Sequence, residues 1–225
     1  GLESLTGDSH LADEWRDLES RSDASYFLSW AWIGNWLAVY KPAFQVLKVS
    51  DADGAIVAMA IIVRQESRRY RLFPVATLHF HETGESQKDQ IWSEYNGVLH
   101  DRQHAASLTT AIQYLHNCNI EWDELDFGVT ARAFIQQPLF LKGLLRHEIW
   151  EAPTYTVDLA AIRQQGKDYL TTVSKNTRSQ IRRSQRILEE RGVVCLEPAK
   201  DLAQALAYFE QAAVLHRKRW GDGIG

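Results

Sequence analysis

Apolar positions follow two different periods along this chain, and the change of period divides it into elements. SHLADEWRDLES (9–20) reads as a short helix with Ser9 as its N-cap. LSWAWIGNWLAVY (28–40) is a second helix, with Trp32, Trp36 and Val39 on one face at helical spacing. FQVLKVS and AIVAMAIIV are apolar, β-branched runs joined by DADG (51–54), the pattern of a hairpin. RLFPVATLHFH continues in extended form, with Pro74 marking an edge or a bulge. IWSEYNGVLH predicts a strand followed by a turn, RQHAASLTTAIQYLHN (102–117) a helix, and WDELDFGV (122–129) a strand. A further helix is expected at about 131–145, and short strands near 146–151 and 154–159.

Pro153 marks a domain boundary in this reading, giving units of 1–152 and 153–225. After it come the strand YTVDL, a short helix near 167–173, a basic helix, the strand VVCLEP and a last helix at about 201–219. The fold class is α/β of the α+β type. Two strands are thin for an independent sheet, so the second unit is expected to be incomplete.

Composition narrows the function classes. The chain has 225 residues, 45% hydrophobic and 24% charged, with a formal net charge of −4. That balance argues against a general DNA binder. Cys118 and Cys195 have no close spacing, so neither a disulfide framework nor a zinc motif is suggested. No signal-peptide pattern and no apolar run of spanning length is present, so the expectation is a cytoplasmic protein without a membrane span.

Against the acidic average stands SKNTRSQIRRSQRILEERG (174–192), with six basic residues and two acidic ones. Ser174 is a good N-cap and Gly192 a good C′ residue. At helical spacing Lys175, Arg178, Arg182 and Arg186 share one arc, while Val173, Thr177, Ile181, Ser184 and Leu188 lie opposite. The cations lack carboxylate partners at i,i+4 spacing, and arginine binds phosphate and carboxylate groups bidentately. A solvated face is the plain alternative to an anion-binding one.

Three other patterns bear on chemistry. SEYNG puts Glu94 and Asn96 on one side of a strand or turn and Tyr95 on the other; Glu94 could serve as a base, with Tyr95 and Asn96 orienting an acceptor. HFHE places His79 and His81 on one strand face, and His100 and His104 are an i,i+4 pair if helical; eight scattered histidines make such pairs common by chance, and no metal is expected. The tryptophans, Trp220 among them, could stack on sugar rings or anchor a core. WGDGIG lacks a preceding strand and a following helix, so it is no dinucleotide fingerprint.

The order FLSWAWIGNWLAVY, GAIVAMAIIV, SEYNGVL, WDELDF, YTVDL, SKNTRSQIRRSQRILEERG and VLHRKRWG resembles one family over nearly the whole chain. It is the GNAT-like acyltransferase family associated with bacterial polysaccharide (cellulose) biosynthesis, with the Fem-type aminoacyl transferases as distant relatives. The resemblance implies two tandem GNAT-like halves, each a mixed sheet flanked by helices, the second truncated here. It implies an acyl-CoA-dependent N- or O-acyltransferase of envelope or exopolysaccharide metabolism, with acetyl-CoA or another acyl-CoA serving the full-length protein. The acceptor would be a small molecule or glycan, phosphorylated or otherwise anionic, met by Lys175, Asn176, Arg178, Arg182, Arg186 and Trp220; the assembly could be a homodimer. In such chemistry backbone N–H groups at a glycine loop hold a pyrophosphate. The nearest match to that loop is RQQGKD (163–168), whose Asp168 would repel the phosphates. The rival reading is a non-catalytic GNAT-like module binding an anionic glycan or a protein partner. An aminoacyl-tRNA-using transferase is a third.

Overall fold

The computed structural model describes residues 2–3, 9–118, 120–135 and 144–221. The chain divides between Ile149 and Trp150 into two compact units.

The first unit is built on a mixed sheet in the order β1-β2-β3-β4-β6. Its strands are β1 (Leu2–Glu3), β2 (Gln45–Ser50), β3 (Ile56–Arg69), β4 (Phe73–Phe80), β5 (Leu99–His100) and β6 (Glu124–Asp126). β2 and β3 form the expected antiparallel hairpin, in register from Gln45↔Ile62 to Val49↔Ala58, with a one-residue shift before Ser50↔Ile56. Its turn is held locally: Asp51 Oδ1 accepts the N–H of Asp53 at 3.0 Å and of Ala55 at 2.9 Å. The strict alternation of β3 then sorts its side chains onto two faces. Met59, Ile61 and Val63 point to a core completed by the helices α1 (Ser9–Ser20) and α2 (Trp30–Tyr40). Ala58, Ala60 and Ile62 point to a second core completed by α3 (Ser107–Asn117). The layers are therefore helix, sheet, helix.

β4 pairs antiparallel with β3 and parallel with β6, at Thr77↔Glu124, Leu78↔Leu125 and His79↔Asp126. α3 lies in the connection between those parallel strands. β5 continues the β4 edge of β3 after a gap, pairing Leu99 with Met59. Residues 81–98 leave the sheet through that gap and return to it. Pro74 pairs with Arg68 in the outer part of the β3–β4 ribbon, before β6 begins at Thr77, so it sits where a missing N–H costs no ladder bond.

Several expectations are corrected. On α2 the buried side chains are Ile33 and Trp36, whereas Val39 is 71% exposed. The 91–98 segment is a 3-10 turn and loop, and only Leu99–His100 is strand. Trp92 and Tyr95 take positive φ (45° and 53°), which breaks the alternation a strand needs. α3 starts at Ser107 instead of 102, after two turns. α4 is Arg132–Ile135; 136–143, the middle of the expected 131–145 helix, lie outside the described residues.

The second unit contains α5 (Leu159–Gln164), α6 (Tyr169–Thr172), α7 (Lys175–Glu189) and α8 (Leu202–Trp220). The strands expected at 146–151, 154–159 and 193–198 are absent among the described residues; 159 already begins α5. A strand needs a partner's hydrogen bonds, and no described backbone supplies them there. Each helix instead opens on its own side-chain cap, from Asp158, Asp168, Ser174 and Asp201. No described residue of this unit is buried. Of WGDGIG, residues 222–225 lie outside the described residues.

Candidate functional site

The carboxyl ends of the parallel pair β4 and β6 bring Asp126 to His79 and Glu82, which precede it in the sequence by 47 and 44 positions. His79 and Asp126 are paired in register, and Glu82 follows two residues after β4 ends. One ligand-capable atom from each of His79, Glu82 and Asp126 lies within 4.8 Å of the others. His79 Nδ1 is 3.5 Å from Asp126 Oδ2, an electrostatic approach longer than a formed hydrogen bond.

Two glycines make room for this convergence. A Cβ on Gly128 (φ +58°) would fall 2.1 Å from Glu82 Oε1. A Cβ on Gly84 (φ +76°) would fall 2.8 Å from His79 Nε2. Both positions therefore require a residue that tolerates positive φ and has no side chain.

The two carboxyl groups are driven in opposite directions. Burial pushes the Glu82 carboxyl up to about 7, with the Asp126 and Asp89 charges adding to the rise and His79 opposing it. Asp126 is held below its ordinary value, first by His79 and then by the N–H of Gly128, which donates to Oδ1 at 2.9 Å; burial works against both. So one carboxyl stays ionised while its neighbour exchanges a proton near neutrality. That split is how acid and base roles are divided in many active sites. The convergence has room for a cation as well, but paired carboxylates without one are common where solvent reaches them.

Behind the cluster the loop is locked by Asn96, which is 2% exposed. Its Nδ2 donates to Phe80 O at 2.5 Å, and its Oδ1 accepts from Gly97 N–H at 2.8 Å and lies 2.9 Å from His81 Nδ1. Its backbone N–H reaches Val129 O, and its carbonyl accepts from Thr130 Oγ1 at 2.6 Å. His81 is 1% exposed, edge-on to Trp15, and its Nε2 has no hydrogen-bond partner. Burial lowers its pKa to about 4, against the hydrogen bond to Asn96, so the ring is neutral at physiological pH.

The residues singled out in the sequence are placed as follows. Glu94 is exposed while Asn96 is buried, so the two do not face one environment. Tyr95 is 37% exposed. His100 and His104 are not a helical pair: His100 is on β5 and His104 in the turn before α3. Lys175, Asn176, Arg182 and Arg186 are exposed on α7. Arg178 is turned inward within its unit, donating from Nε to Leu170 O at 2.6 Å and from Nη2 to Val173 O at 3.2 Å, and so caps the end of α6. The face opposite the cations is only partly covered: Val173 and Ile181 are half-buried, and Leu188 is 54% exposed. Trp220 is 50% exposed beneath the Arg219 guanidinium, 4.9 Å from its ring centre.

At RQQGKD, Asp168 accepts the Leu170 N–H at 2.9 Å and so occupies the start of α6, a helix of four residues, with its own negative charge. These residues do not fit a pyrophosphate. A groove of about 1080 Å³ lies at the opposite ends of β4 and β6, lined by Arg64, Arg68, His116 and Trp122 with Glu66, Glu121 and Asp123. Arg64 is already committed to Glu66 Oε1 and Glu121 O, so this larger space has less chemistry than the Glu82 cluster. In HFHE the histidines are the conspicuous residues; the signal for the site is the glutamate just past a strand end, followed two residues on by glycine.

None of the described helices is long and apolar enough to cross a membrane. Comparison with protein-family models, with curated proteins and with solved structures finds no match to this chain.

Proposed function

We propose that the first unit carries the acceptor side of an acyl transfer, with Glu82 taking the proton from an attacking amine or hydroxyl. The observation that carries this reading is the Glu82 carboxyl, raised to about 7 beside an ionised Asp126 at the ends of two parallel strands. A base is most useful when its pKa lies near the working pH. Asp126 would favour an acceptor that reaches the site as a cation, and His79 keeps Asp126 charged while it does so. The antiparallel run ending in a parallel pair, with a helix in the connection, is compatible with the GNAT-like resemblance. That resemblance supplies acyl-CoA as the donor. RQQGKD does not fit it, so the proposal rests on the acceptor side alone.

The test is thiol release from acetyl-CoA with a panel of amines, amino sugars and nucleotide sugars, followed from pH 5.5 to 9. The expected rate rises with pH through about 7 as Glu82 ionises. Glu82→Gln should lose roughly 10²–10⁴-fold, the usual share of a general base. A substrate-independent readout accompanies it. Because the folded-state pKa of Glu82 is raised, folding holds its proton more tightly than the unfolded chain does, and stability falls as pH rises from about 4.5 to about 7. Glu82→Gln removes that loss and should stabilise the protein at pH 8 by about 1–2 kcal/mol after allowance for partial exposure. Thiol release that does not depend on Glu82 would overturn the assignment.

A second reading has its own observation. Lys175, Arg182 and Arg186 stand exposed in a row on α7, as a module binding an anionic glycan would present them. Binding of such glycans without any thiol release, lost in Arg182→Ala/Arg186→Ala, would favour that module.

A further inference from the structure

The turn that delivers Glu82 to its cluster is held by bonds that the acyl-transfer reading does not use. Past β4 the last tie to the sheet is the His81 N–H, which donates to Ile61 O at 3.1 Å. Over Glu82, Thr83 and Gly84, among the described residues, no main-chain group bonds to another main-chain group. Asp89 supplies the hold instead. Its Oδ1 accepts the Thr83 N–H at 2.8 Å and the Thr83 hydroxyl at 2.9 Å. The Thr83 oxygen in turn accepts the Glu85 N–H at 3.1 Å. Thr83 is 4% exposed, so water does not stand in for these partners. Asp89 is fixed at its own main chain: its N–H donates to Glu85 O at 3.0 Å, and a 3-10 turn starts on it (Asp89–Ile91).

Little slack separates that hold from the chemistry. Glu82 Oε1 lies 2.1 Å from where a Cβ on residue 128 would stand, so its carboxyl rests almost on the Gly128 main chain. Gly84, on the other side of Thr83, rests nearly as closely on the His79 ring. A turn free to rotate about Thr83 would carry the Glu82 carboxyl out of this slot and toward water. Misplacement by about 1 Å is enough to cost a catalytic group much of its effect. Asp89 also acts on the carboxyl through its charge. The charged groups that face Glu82 are Asp126, Asp89 and His79, and the negative charge of Asp89 opposes ionisation there. Hold and charge are separable by substitution.

We propose that Asp89 is a positioning residue for Glu82: through the N–H and hydroxyl of Thr83 it keeps the 82–84 turn in place, and with it the Glu82 carboxyl against Gly128 and beside Asp126. Its effect on turnover rests on the acyl-transfer reading; the positioning itself does not.

The test pairs two readouts in the whole chain. NMR of carboxyl-labelled glutamate follows the Glu82 titration without any substrate, and thiol release from acetyl-CoA follows turnover. Thr83→Val removes the hydroxyl link while the Asp89 charge stays; Thr83→Ser keeps both. The valine variant should lose roughly 10–10²-fold in kcat. It should also titrate Glu82 below the wild-type midpoint of about 7, nearer the ordinary glutamate value, as the carboxyl meets water. The serine variant should match the wild type in both readouts. Asp89→Ala removes hold and charge together and should have the larger effect on both. Asp89→Asn keeps an acceptor oxygen for Thr83, so it should lower the titration midpoint while retaining most of the turnover. A Glu82 titration unmoved in Thr83→Val and Asp89→Ala, with a lower melting temperature as their only change, would reduce Asp89 to a structural bond and overturn the proposal. So would a Thr83→Ser variant that behaves like Thr83→Val. If Asp89→Ala fails to fold, the two Thr83 variants decide. If thiol release is absent or independent of Glu82, the acyl-transfer reading falls, and the titration still decides the positioning.

Discussion

The two units of this chain are written in different kinds of signal. In the first, the helices are held by what they pack against: Trp15 and Leu18 of α1 and Ile33 of α2 are fully buried against the odd face of β3. In the second, the helices are held by their own ends, through Asp158, Asp168, Ser174, Asp201 and the Arg178 cap, while their apolar side chains remain exposed. Charge divides the same way: 13 basic and 20 acidic residues precede Trp150, against 12 and 9 from there onward. Capping can specify where a helix begins, but most helical stability in proteins comes from packing an apolar face. The first unit is thus the part whose free energy can be read from its contacts.

The sharpest test of that contrast is a large-to-small change in each unit. Trp15→Ala removes a fully buried ring and its Nε1 bond to Leu28 O, and should cost about 3–5 kcal/mol. Leu206→Ala, at an exposed site, should stay within about 0.5 kcal/mol in the monomer. Urea unfolding followed by circular dichroism reads both; equal losses would erase the distinction.

Next in size is a pH effect confined to the first unit. His81 has a folded-state pKa of about 4 against 6.5 unfolded, so the unfolded chain takes up the proton first. The stability this neutral ring contributes is intact above pH 6.5 and is lost as pH falls toward 4, by about 3 kcal/mol over the whole window. His81→Gln should flatten that part of the stability–pH curve, in chemical denaturation at pH 7 and pH 4.5, while amide exchange in α7 is unaffected.

The smallest expected effect separates two arginines on one helix. Arg178→Ala uncovers the last carbonyls of α6 and should weaken that turn by roughly 1 kcal/mol, seen as faster amide exchange at 170–173. Arg182→Ala should change exchange there by less than about 0.5 kcal/mol. Periodicity treats the two as equivalent members of one cationic row, and only the structure tells them apart.

That pair illustrates what the sequence makes legible. Elements whose reasons are local were readable: the extents of α1, α2 and α8, and the β2–β3 hairpin from two apolar, β-branched runs joined by DADG; Ser9, expected as the N-cap of α1, is instead its first helical residue. VVCLEP has the composition of a strand and stays unpaired, because β propensity expresses itself only beside another strand. The Glu82 cluster was not readable for the same reason. Asp126 reaches it only through the parallel register of β6 on β4, a pairing of residues 47 positions apart that leaves no mark at either end. Glu94, by contrast, stood in a conspicuous EYNG string, but the positive φ of Tyr95 separates it from its buried neighbour Asn96.

Asn96 also governs what evolution can do with the loop it closes. A single residue ties the excursion that runs from 81 to 98 to its surroundings, its side-chain amide at Phe80 O and its main chain at Val129 and Thr130, beyond β6. The tip of that loop, at 85–87, is exposed. Lengthening a loop adds closure entropy only logarithmically, about 0.6 kcal/mol for each doubling. Insertions at that tip are therefore cheap, and the loop can change its length there while the ties made by Asn96 stay in place.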